Sequence, residues 1–286
     1  MKTRKKNLFI RSFTVWSVFI LLLAGFTPVY GKTKPLPQYQ NRKLTSRNTI
    51  AHRGARDLAP EETMASLYAA KKAGYRQFEC DVWYTKSKEF FICHDKDIRK
   101  LTGKKLNSWE LSSANRKRYP ITRGTNVKNY PVQYFLKLHE VLTFCEKNGM
   151  CPWLHLKASN GHTFSGKALE KLNRILKHYH GNKPVVFTSN LSLLKRMKKY
   201  SWNKGILCTG HSFSKMKKQL SHAKAYRCRF IIIPYYRNYK PSRKLVRMSH
   251  KQKIKTVFYW LRSKAGVRQV LDMGGDYFLT DKVLFE

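Results

Sequence analysis

Short apolar runs rich in β-branched and aromatic residues alternate along the chain with longer segments whose apolar residues recur at helical spacing. The short runs have the length of strands and the longer segments that of helices. Repeated alternation of this kind is typical of a parallel sheet with crossover helices. Strands are predicted at 49–53, 77–83, 89–94, 153–157, 185–188, 205–208, 230–234, 256–260 and 277–280, and helices at 63–73, 134–147, 165–179, 191–200, 213–223, 242–250 and 264–271.

The span that holds these elements, 48–286, has the size of a TIM-like (β/α)8 barrel, about 250 residues. Nine strands do not fit eight places, so we expect a somewhat irregular barrel. The second and third strands are joined by too few residues for a helix, which predicts a hairpin. A turn near Lys86-Ser87 would place His94 opposite Glu79.

The N-terminus has the order of a secretory signal: basic residues within the first 11 positions, then an uncharged stretch over 12–31. We expect a signal peptide that is cleaved near residue 31, although a stretch of about 20 residues is also long enough to span a bilayer as an uncleaved anchor. The predicted organisation is a signal peptide or membrane anchor over 1–31, a polar linker over 32–47 and the barrel over 48–286. Either reading places the barrel outside the cytoplasm, in the extracellular space or the cell envelope.

The net charge of the chain limits the kinds of partner that we expect. Lysine and arginine number 58 against 16 acids, a formal net charge of +42. Such a surface attracts nucleic acids, anionic lipid headgroups and phosphate-bearing wall polymers. Because export separates the chain from the genome, we expect an anionic membrane or cell-wall surface and no nucleic acid. The six cysteines are too few for a disulfide scaffold, and no pattern indicates the oligomeric state.

The few acids are concentrated in one part of the chain. Divalent cations such as Ca²⁺ and Mg²⁺ prefer carboxylate oxygens, which would explain such clustering. Glu79 and Asp81 lie two positions apart on a predicted strand, so their side chains point to one face. They would make a metal site if that face lines the barrel mouth, or two unrelated acids if it faces solvent. Half of the 16 acids are Asp57, Glu61, Glu62, Glu79, Asp81, Glu89, Asp95 and Asp97.

Two histidines close predicted strands, which is where TIM barrels carry their catalytic groups. His52 and Arg53 end the first strand, and His94 ends the third. An imidazole can transfer protons near neutral pH, and a guanidinium can bind phosphate oxygens.

Together these segments resemble the glycerophosphodiester phosphodiesterase family, whose opening pattern reads H-R-G, A-P-E-N-T, E-x-D-V, an apolar run into H-D, and T-G. The matching residues are His52-Arg53-Gly54, Ala59-Pro60-Glu61-Glu62-Thr63, Glu79-Cys80-Asp81-Val82, His94-Asp95 and Thr102-Gly103. Weaker likeness continues through 153–157, 187–190 and 259–260 to Thr280-Asp281, so that it spans almost all of 49–281.

The resemblance implies a metal-dependent hydrolase that converts glycerophosphodiesters, or a glycerol-phosphate polymer, to glycerol 3-phosphate and an alcohol. Carried over position by position, it implies His52 and His94 as the general acid and base. It implies Arg53 and Lys157 as the residues that bind the phosphate. It implies a divalent cation, Ca²⁺ or Mg²⁺ in the first place, held by Glu79, Asp81, Glu61 and the residue at 155.

Two positions depart from the family pattern. Glu62 stands where the family has asparagine, a mild change. His155 stands where the family has a glutamate metal ligand, and an imidazole nitrogen suits Mn²⁺ or Zn²⁺ better than Ca²⁺. The metal could have changed, Glu61 or water could compensate, or metal binding and activity could be lost. Two other functions stay open: a catalytically impaired barrel that binds anionic envelope polymers, and a related phospholipase that acts on lipid phosphodiesters.

Overall fold

A computed structural model describes residues 43–159, 161–210, 212–235 and 242–285. The predicted signal or anchor over 1–31 and most of the predicted linker lie outside these residues. Within the described part of the chain, every helix is too short or too polar to cross a bilayer.

The strands of the described residues are β1 (Thr49–His52), β2 (Gln77–Tyr84), β3 (Phe90–Ile92), β4 (Cys151–Leu156), β5 (Val185–Thr188), β6 (Asn203–Leu207), β7 (Phe230–Pro234), β8 (Lys255–Leu261) and β9 (Tyr277–Thr280). Eight of them are parallel and close into a barrel, in the order β1-β2-β4-β5-β6-β7-β8-β9, with β9 returning to β1. The closure rests on the pairing of Ala51 with Phe78 on one side of β1 and with Thr280 on the other. The ninth strand, β3, pairs antiparallel with β2 only. The TIM-like fold class expected from the sequence is confirmed.

Helices surround the barrel and connect successive strands. Most begin at a Ser, Thr or Asn whose side chain accepts a hydrogen bond from a backbone N–H of the first turn, which satisfies one of the free donors there. The helices are α1 (Met64–Lys72), α2 (Arg99–Thr102), α3 (Leu138–Asn148), α4 (Gly166–Lys177), α5 (Leu191–Met197), α6 (Phe213–Ala225), α7 (Arg243–Lys251) and α8 (Lys264–Asp272). The seven predicted helices are all present.

The buried apolar residues form three clusters. The largest lies between the strands and the helices, and a smaller one fills the barrel around Trp153, Phe187 and Tyr259. The third forms around Trp83 and Trp109, beneath the long connection from β3 to α3. That connection contains α2 and three short 3₁₀ turns, none of which the apolar pattern predicts.

The predicted hairpin exists, but its register differs from the expected one. β2 and β3 turn over Lys86 and Ser87 as expected, yet Val82 pairs with Ile92, and the Cys93 N–H donates to the Asp81 carbonyl. His94 therefore does not lie opposite Glu79. A shift of one residue reverses which face each side chain occupies, so residue counting across a turn of unknown type could not fix this register.

Candidate active site

A cavity of about 320 Å³ opens at the carboxyl ends of the barrel strands, where TIM barrels hold their active sites. Seven of the eight site residues inferred from the sequence line it, and Glu61 does not. Its lining is His52, Arg53, Glu79, Asp81, His94, His155, Lys157, Phe187, Ser189, Leu207, Thr209, Tyr259, Trp260 and Leu279.

Strand register brings the polar residues together. In the barrel sheet His52 pairs with Glu79, and Asp81 pairs with His155, so residues from β1, β2 and β4 lie side by side at one rim. Glu79 and Asp81 both face the cavity because side chains two positions apart share a face.

Glu79, Asp81 and His155 form a group that could hold a metal ion, with one ligand atom from each within 4.8 Å of the others. His155 Nδ1 lies 2.6 Å from Asp81 Oδ1, and its ring stacks on Phe187 at 4.7 Å between centroids. Asp81 Oδ2 is buried and has no hydrogen-bond partner among the described residues. Two carboxylates, one of which has an unpartnered buried oxygen, and an imidazole are a donor set that fits a divalent cation.

Glu61, inferred as a metal ligand, is not brought into this group. Its carboxylate lies 3.0 Å from Arg53, 3.0 Å from Arg56 and 2.6 Å from Lys100. Burial would raise the pKa of Glu61, but these cations, Arg53 foremost, lower it below its usual value. Since the charge of Glu61 is already balanced, the structure gives it the role of holding Arg53 in place.

His52 is buried and held by an acid at the far end of the sequence. Its Nδ1 lies 2.5 Å from Oδ1 of Asp281, and its Nε2 lies 3.9 Å from Glu79. Burial lowers the pKa of His52, and the hydrogen bond to Asp281 opposes the shift without reversing it. The imidazole is therefore neutral at neutral pH. With Nδ1–H donating to Asp281, its Nε2 is left as a proton acceptor.

Asp281 stays ionised in this position. Burial would raise its pKa, but the hydrogen bond from His52 and the cations Arg262 and Arg56 hold the pKa well below the usual range. Asp281 belongs to the closing Thr-Asp pair that resembles the family, but no pattern in the sequence predicts its contact with His52, which lies 229 positions away.

His94 enters the same cavity from the end of β3 and is more accessible than His52. Its side chain is 32% exposed, and its Nδ1 lies 2.7 Å from Oδ1 of Asp95. Besides His155, the cavity thus contains two imidazoles, one buried and one more exposed to solvent, each oriented by its own carboxylate.

Two cations border the metal group. Lys157 Nζ lies 3.2 Å from Asp81 Oδ1, and Arg53 Nε lies 3.8 Å from Asp81 Oδ2. The backbone of Arg53 is in the left-handed region (φ 59°), and its N–H donates to Glu79 at 3.2 Å. Both side chains are therefore fixed at the cavity wall, where they can bind phosphate oxygens.

Glu62 and Trp260, both within segments that resemble the family, also lie at the site, although the sequence predicted no contact for either. Glu62 is 1% exposed, and its Oε1 accepts a hydrogen bond from the Asp81 N–H at 3.1 Å. Burial, together with the charges of Asp81 and Glu79, raises the pKa of Glu62 well above its usual value. Trp260 lines the cavity in the left-handed region (φ 65°), at an irregularity in β8 that redirects its side chain.

Comparison with known families agrees with this geometry. The model of the glycerophosphoryl diester phosphodiesterase family matches residues 52–284. The chain belongs to this family. It is accordingly a phosphodiesterase of the type that hydrolyses glycerophosphodiesters, built on a TIM barrel.

Solved structures of family members share the fold at low sequence identity. A phosphodiesterase from Oleispira antarctica, in complex with the product sn-glycerol-3-phosphate, is 19% identical, with a TM-score of 0.71 over 83% of this chain and 96% of that one. A glycerophosphodiester phosphodiesterase from Thermotoga maritima is 18% identical, with a TM-score of 0.66 over 85% and 96%. One from Agrobacterium tumefaciens is 17% identical, with a TM-score of 0.64 over 84% and 97%. A search of curated proteins gave no significant match.

Proposed function

We propose that this protein hydrolyses soluble glycerophosphodiesters, or a glycerol-phosphate polymer, to glycerol 3-phosphate and an alcohol, with a divalent cation and outside the cytoplasm. The observation that carries the proposal is the convergence of His52, His94 and the Glu79–Asp81–His155 group in one cavity. The product bound to the Oleispira antarctica phosphodiesterase supports glycerol 3-phosphate as the product here.

The phosphate is bound first by charge. Arg53 and Lys157 donate to its non-bridging oxygens from the cavity wall. Glu79, Asp81 and His155 would hold a divalent cation, which would supply stabilisation of the negative charge that develops on the phosphate. Glu61 keeps the Arg53 guanidinium in place through its hydrogen bond at 3.0 Å.

Proton transfer is divided between the two histidines. The neutral His52 takes a proton at Nε2 from an attacking water molecule while Asp281 stabilises the imidazolium that forms. His94, oriented by Asp95, donates a proton to the leaving alkoxide. The new P–O bond forms as the bond to the alcohol breaks, so that one proton is taken up and one released.

The identity of the cation follows from the donor set. The resemblance to the family favours Ca²⁺ or Mg²⁺, while the His155 nitrogen favours Mn²⁺ or Zn²⁺. We propose that the exchange of glutamate for histidine keeps the metal site and moves its preference toward Mn²⁺ or Zn²⁺. Turnover measured with each of the four ions would test this.

The central experiment measures glycerol 3-phosphate released from glycerophosphocholine by the purified protein with each cation. We expect release that EDTA abolishes and that His52→Ala and His94→Ala each reduce by about 100-fold or more. His139→Ala, on the exposed side of α3, is the matched control and should retain full activity. Unchanged turnover in either cavity variant would contradict the mechanism.

A second candidate function is supported by the histidine at position 155, where the family has glutamate, and by the net charge of +42. The protein would then be a barrel that binds anionic envelope polymers without cleaving them. Salt-sensitive polymer binding with no turnover under any of the four cations would favour this candidate.

Assays on intact phospholipids alongside soluble diesters would separate a phospholipase from the diesterase and from the polymer-binding barrel.

The proposed location rests on the N-terminal sequence alone. Fractionation of cells that express the full chain should place it in the medium or the envelope. N-terminal sequencing of that form would distinguish cleavage near residue 31 from retention of the segment as an anchor. Protein found only in the cytoplasm would contradict the location and leave the chemistry untouched.

A further inference from the structure

Exposed large hydrophobic residues are concentrated on one face of the described structure. Four such side chains are exposed: Leu58 by 37%, Tyr68 by 57%, Val132 by 66% and Val283 by 36%. They come from the β1–α1 loop, from α1, from the segment before α3 and from the chain after β9. We call the surface they form, together with the groove beside α1, the α1 face.

Hydrogen bonds join these four segments into one surface. The Leu58 carbonyl accepts from Asn126 at 3.0 Å and from Tyr130 at 3.1 Å. The Val283 N–H donates to Asp57 at 3.4 Å. In the same way the Ala65 N–H at the start of α1 donates to Gln133, the residue after Val132, at 3.1 Å.

A groove of about 760 Å³ runs along this face beside α1. Its walls are largely apolar, and none of its lining residues is acidic. A contiguous exposed apolar patch with polar residues around it is a common feature of interaction sites. The lining is Leu58, Met64, Ala65, Tyr68, Ala69, Lys72, Ala73, Asn126, Tyr130, Pro131 and Gln133.

Exposed cations surround the apolar residues. Lys72 lines the groove, Lys128 lies between Asn126 and Tyr130, and Lys282 precedes Val283. The acid that contacts this face, Asp57, is partly buried, and burial raises its pKa. The face is therefore apolar at its centre and basic at its edge.

We propose that the α1 face docks the enzyme on an anionic lipid bilayer. Apolar side chains that enter the headgroup region, flanked by lysines that attract anionic lipids, are the two features that hold peripheral proteins on membranes. A second copy of the chain would bring like-charged edges together, which opposes association. A free phosphate polymer would use the cations but not the apolar centre.

The α1 face is continuous with the active site through the β1–α1 loop. That loop begins after His52 and carries Arg56, which lies 3.0 Å from Glu61 and 3.6 Å from Asp281. Leu58 follows two positions later. Docking would therefore hold the loop that carries the site's cations near the bilayer, where diesters from lipid turnover are released. Docking of this kind goes beyond the proposed function and does not depend on it.

The test is co-sedimentation of the protein with vesicles of phosphatidylglycerol and phosphatidylcholine, or of phosphatidylcholine alone. We expect binding to the anionic vesicles only. Tyr68→Ser with Val132→Ser should weaken that binding by about tenfold or more, since each side chain buries apolar area in the bilayer. Binding that is unchanged in this double variant would overturn the proposal.

A charge-matched pair of variants separates docking from general attraction. Lys72→Ser with Lys128→Ser removes two charges from the α1 face, and Lys217→Ser with Lys218→Ser removes two from α6, on the opposite side of the barrel. We expect the first pair to lose at least about fivefold more affinity than the second, because attraction falls off within a Debye length. Equal losses would overturn the proposal.

Two further measurements separate loss of docking from loss of folding, catalysis or self-association. Hydrolysis of a soluble diester should be unchanged in all three double variants, because none of these residues lines the catalytic cavity. Each variant should also keep a cooperative thermal unfolding transition, at a somewhat lower midpoint for the variant that lacks Tyr68, whose ring packs edge-to-face on Phe144 at 5.0 Å between centroids. A dimer in sedimentation velocity that Tyr68→Ser with Val132→Ser converts to a monomer would overturn the proposal and assign the face to a second copy of the chain.

Discussion

Asp281, at the end of β9, holds the Nδ1 atom of His52, at the end of β1, although the two residues are 229 positions apart in sequence. The closing pair of barrel strands, β1 and β9, brings them together. The carboxylate fixes the tautomer of the imidazole and leaves Nε2 directed to the cavity. This pairing makes Asp281 a positioning residue whose effect is transmitted through His52.

The first prediction concerns this pair and pH. The folded pKa of His52 lies below 6.5, so the imidazole stays neutral as the pH falls past 6.5. In the pH profile of kcat/KM, the decline on the acid side (the acid limb) should therefore occur below pH 6.5. The bond to Asp281 raises the pKa of His52, so Asp281→Asn should move the limb to still lower pH. It should also reduce kcat by about 10-fold to 100-fold through lost orientation.

The control for this prediction is Arg262→Ala, which removes the other close partner of Asp281, at 2.7 Å, and leaves His52 bound. We expect nearly unchanged kcat and a small shift of the limb. A limb that moves to higher pH in Asp281→Asn would contradict the assigned relationship.

The second prediction concerns the metal group. His155→Glu replaces the nitrogen donor by the carboxylate that the family pattern carries, so affinity should shift from Mn²⁺ and Zn²⁺ toward Ca²⁺ and Mg²⁺. Titration calorimetry on the metal-free protein measures this without reference to activity. His155→Ala should weaken binding of all four ions by about tenfold or more. The same order of affinities in wild type and His155→Glu would show that residue 155 is not a ligand.

The third prediction concerns Glu62, a buried acid whose pKa is raised in the folded state. Glu62→Gln keeps the acceptor for the Asp81 N–H and should be tolerated, whereas Glu62→Ala should cost about 1–3 kcal/mol by leaving that N–H unpaired. The pKa of Glu62 is higher in the folded protein than in the unfolded chain, where it is 4.5. The contribution of Glu62 to stability is therefore fully present below pH 4.5 and is lost as pH rises through the folded pKa.

Denaturant unfolding at about pH 5 and about pH 8 checks this sign. Wild type should lose stability relative to Glu62→Gln at the higher pH. A wild-type protein that gains stability relative to Glu62→Gln over this range would mean that Glu62 is ionised in the folded state.

The fourth prediction concerns Gly54, which follows His52 and Arg53. Gly54 has a φ of +72°, and a Cβ atom there would lie 2.3 Å from Ser66 Oγ and 2.9 Å from the Ser66 backbone. Gly54→Ala should therefore destabilise the fold by at least about 2 kcal/mol, through overpacking as well as backbone strain.

Gly149→Ala is the matched control, because Gly149 has a φ of +61° with nothing within 4 Å of the added atom. It should cost about 1 kcal/mol from backbone strain alone. Equal losses in urea unfolding would show that the contact with Ser66 does not set the cost at Gly54.

The sequence predicted the features that depend on local pattern. Every predicted strand and helix is present, because apolar periodicity and the Ser, Thr and Asn caps act over a few residues. The position of Glu79 and Asp81 on one face of the same strand follows from strand geometry alone.

Features that depend on tertiary contacts were missed. The hairpin register, the salt bridges that occupy Glu61 and the bond between His52 and Asp281 are each set by residues far apart in sequence or by turn geometry. The helix and 3₁₀ turns between β3 and α3 bury their apolar residues in a separate small cluster, so they show no long periodic pattern.

The most direct test of the mechanism is a crystal structure of the protein with Mn²⁺ and glycerol 3-phosphate, with the ion located by its anomalous scattering. We expect Mn²⁺ at about 2.0–2.3 Å from Glu79, Asp81 and His155. We also expect a phosphate between Nε2 of His52 and the ring of His94. An ion bound elsewhere, or a phosphate out of reach of either imidazole, would contradict the mechanism.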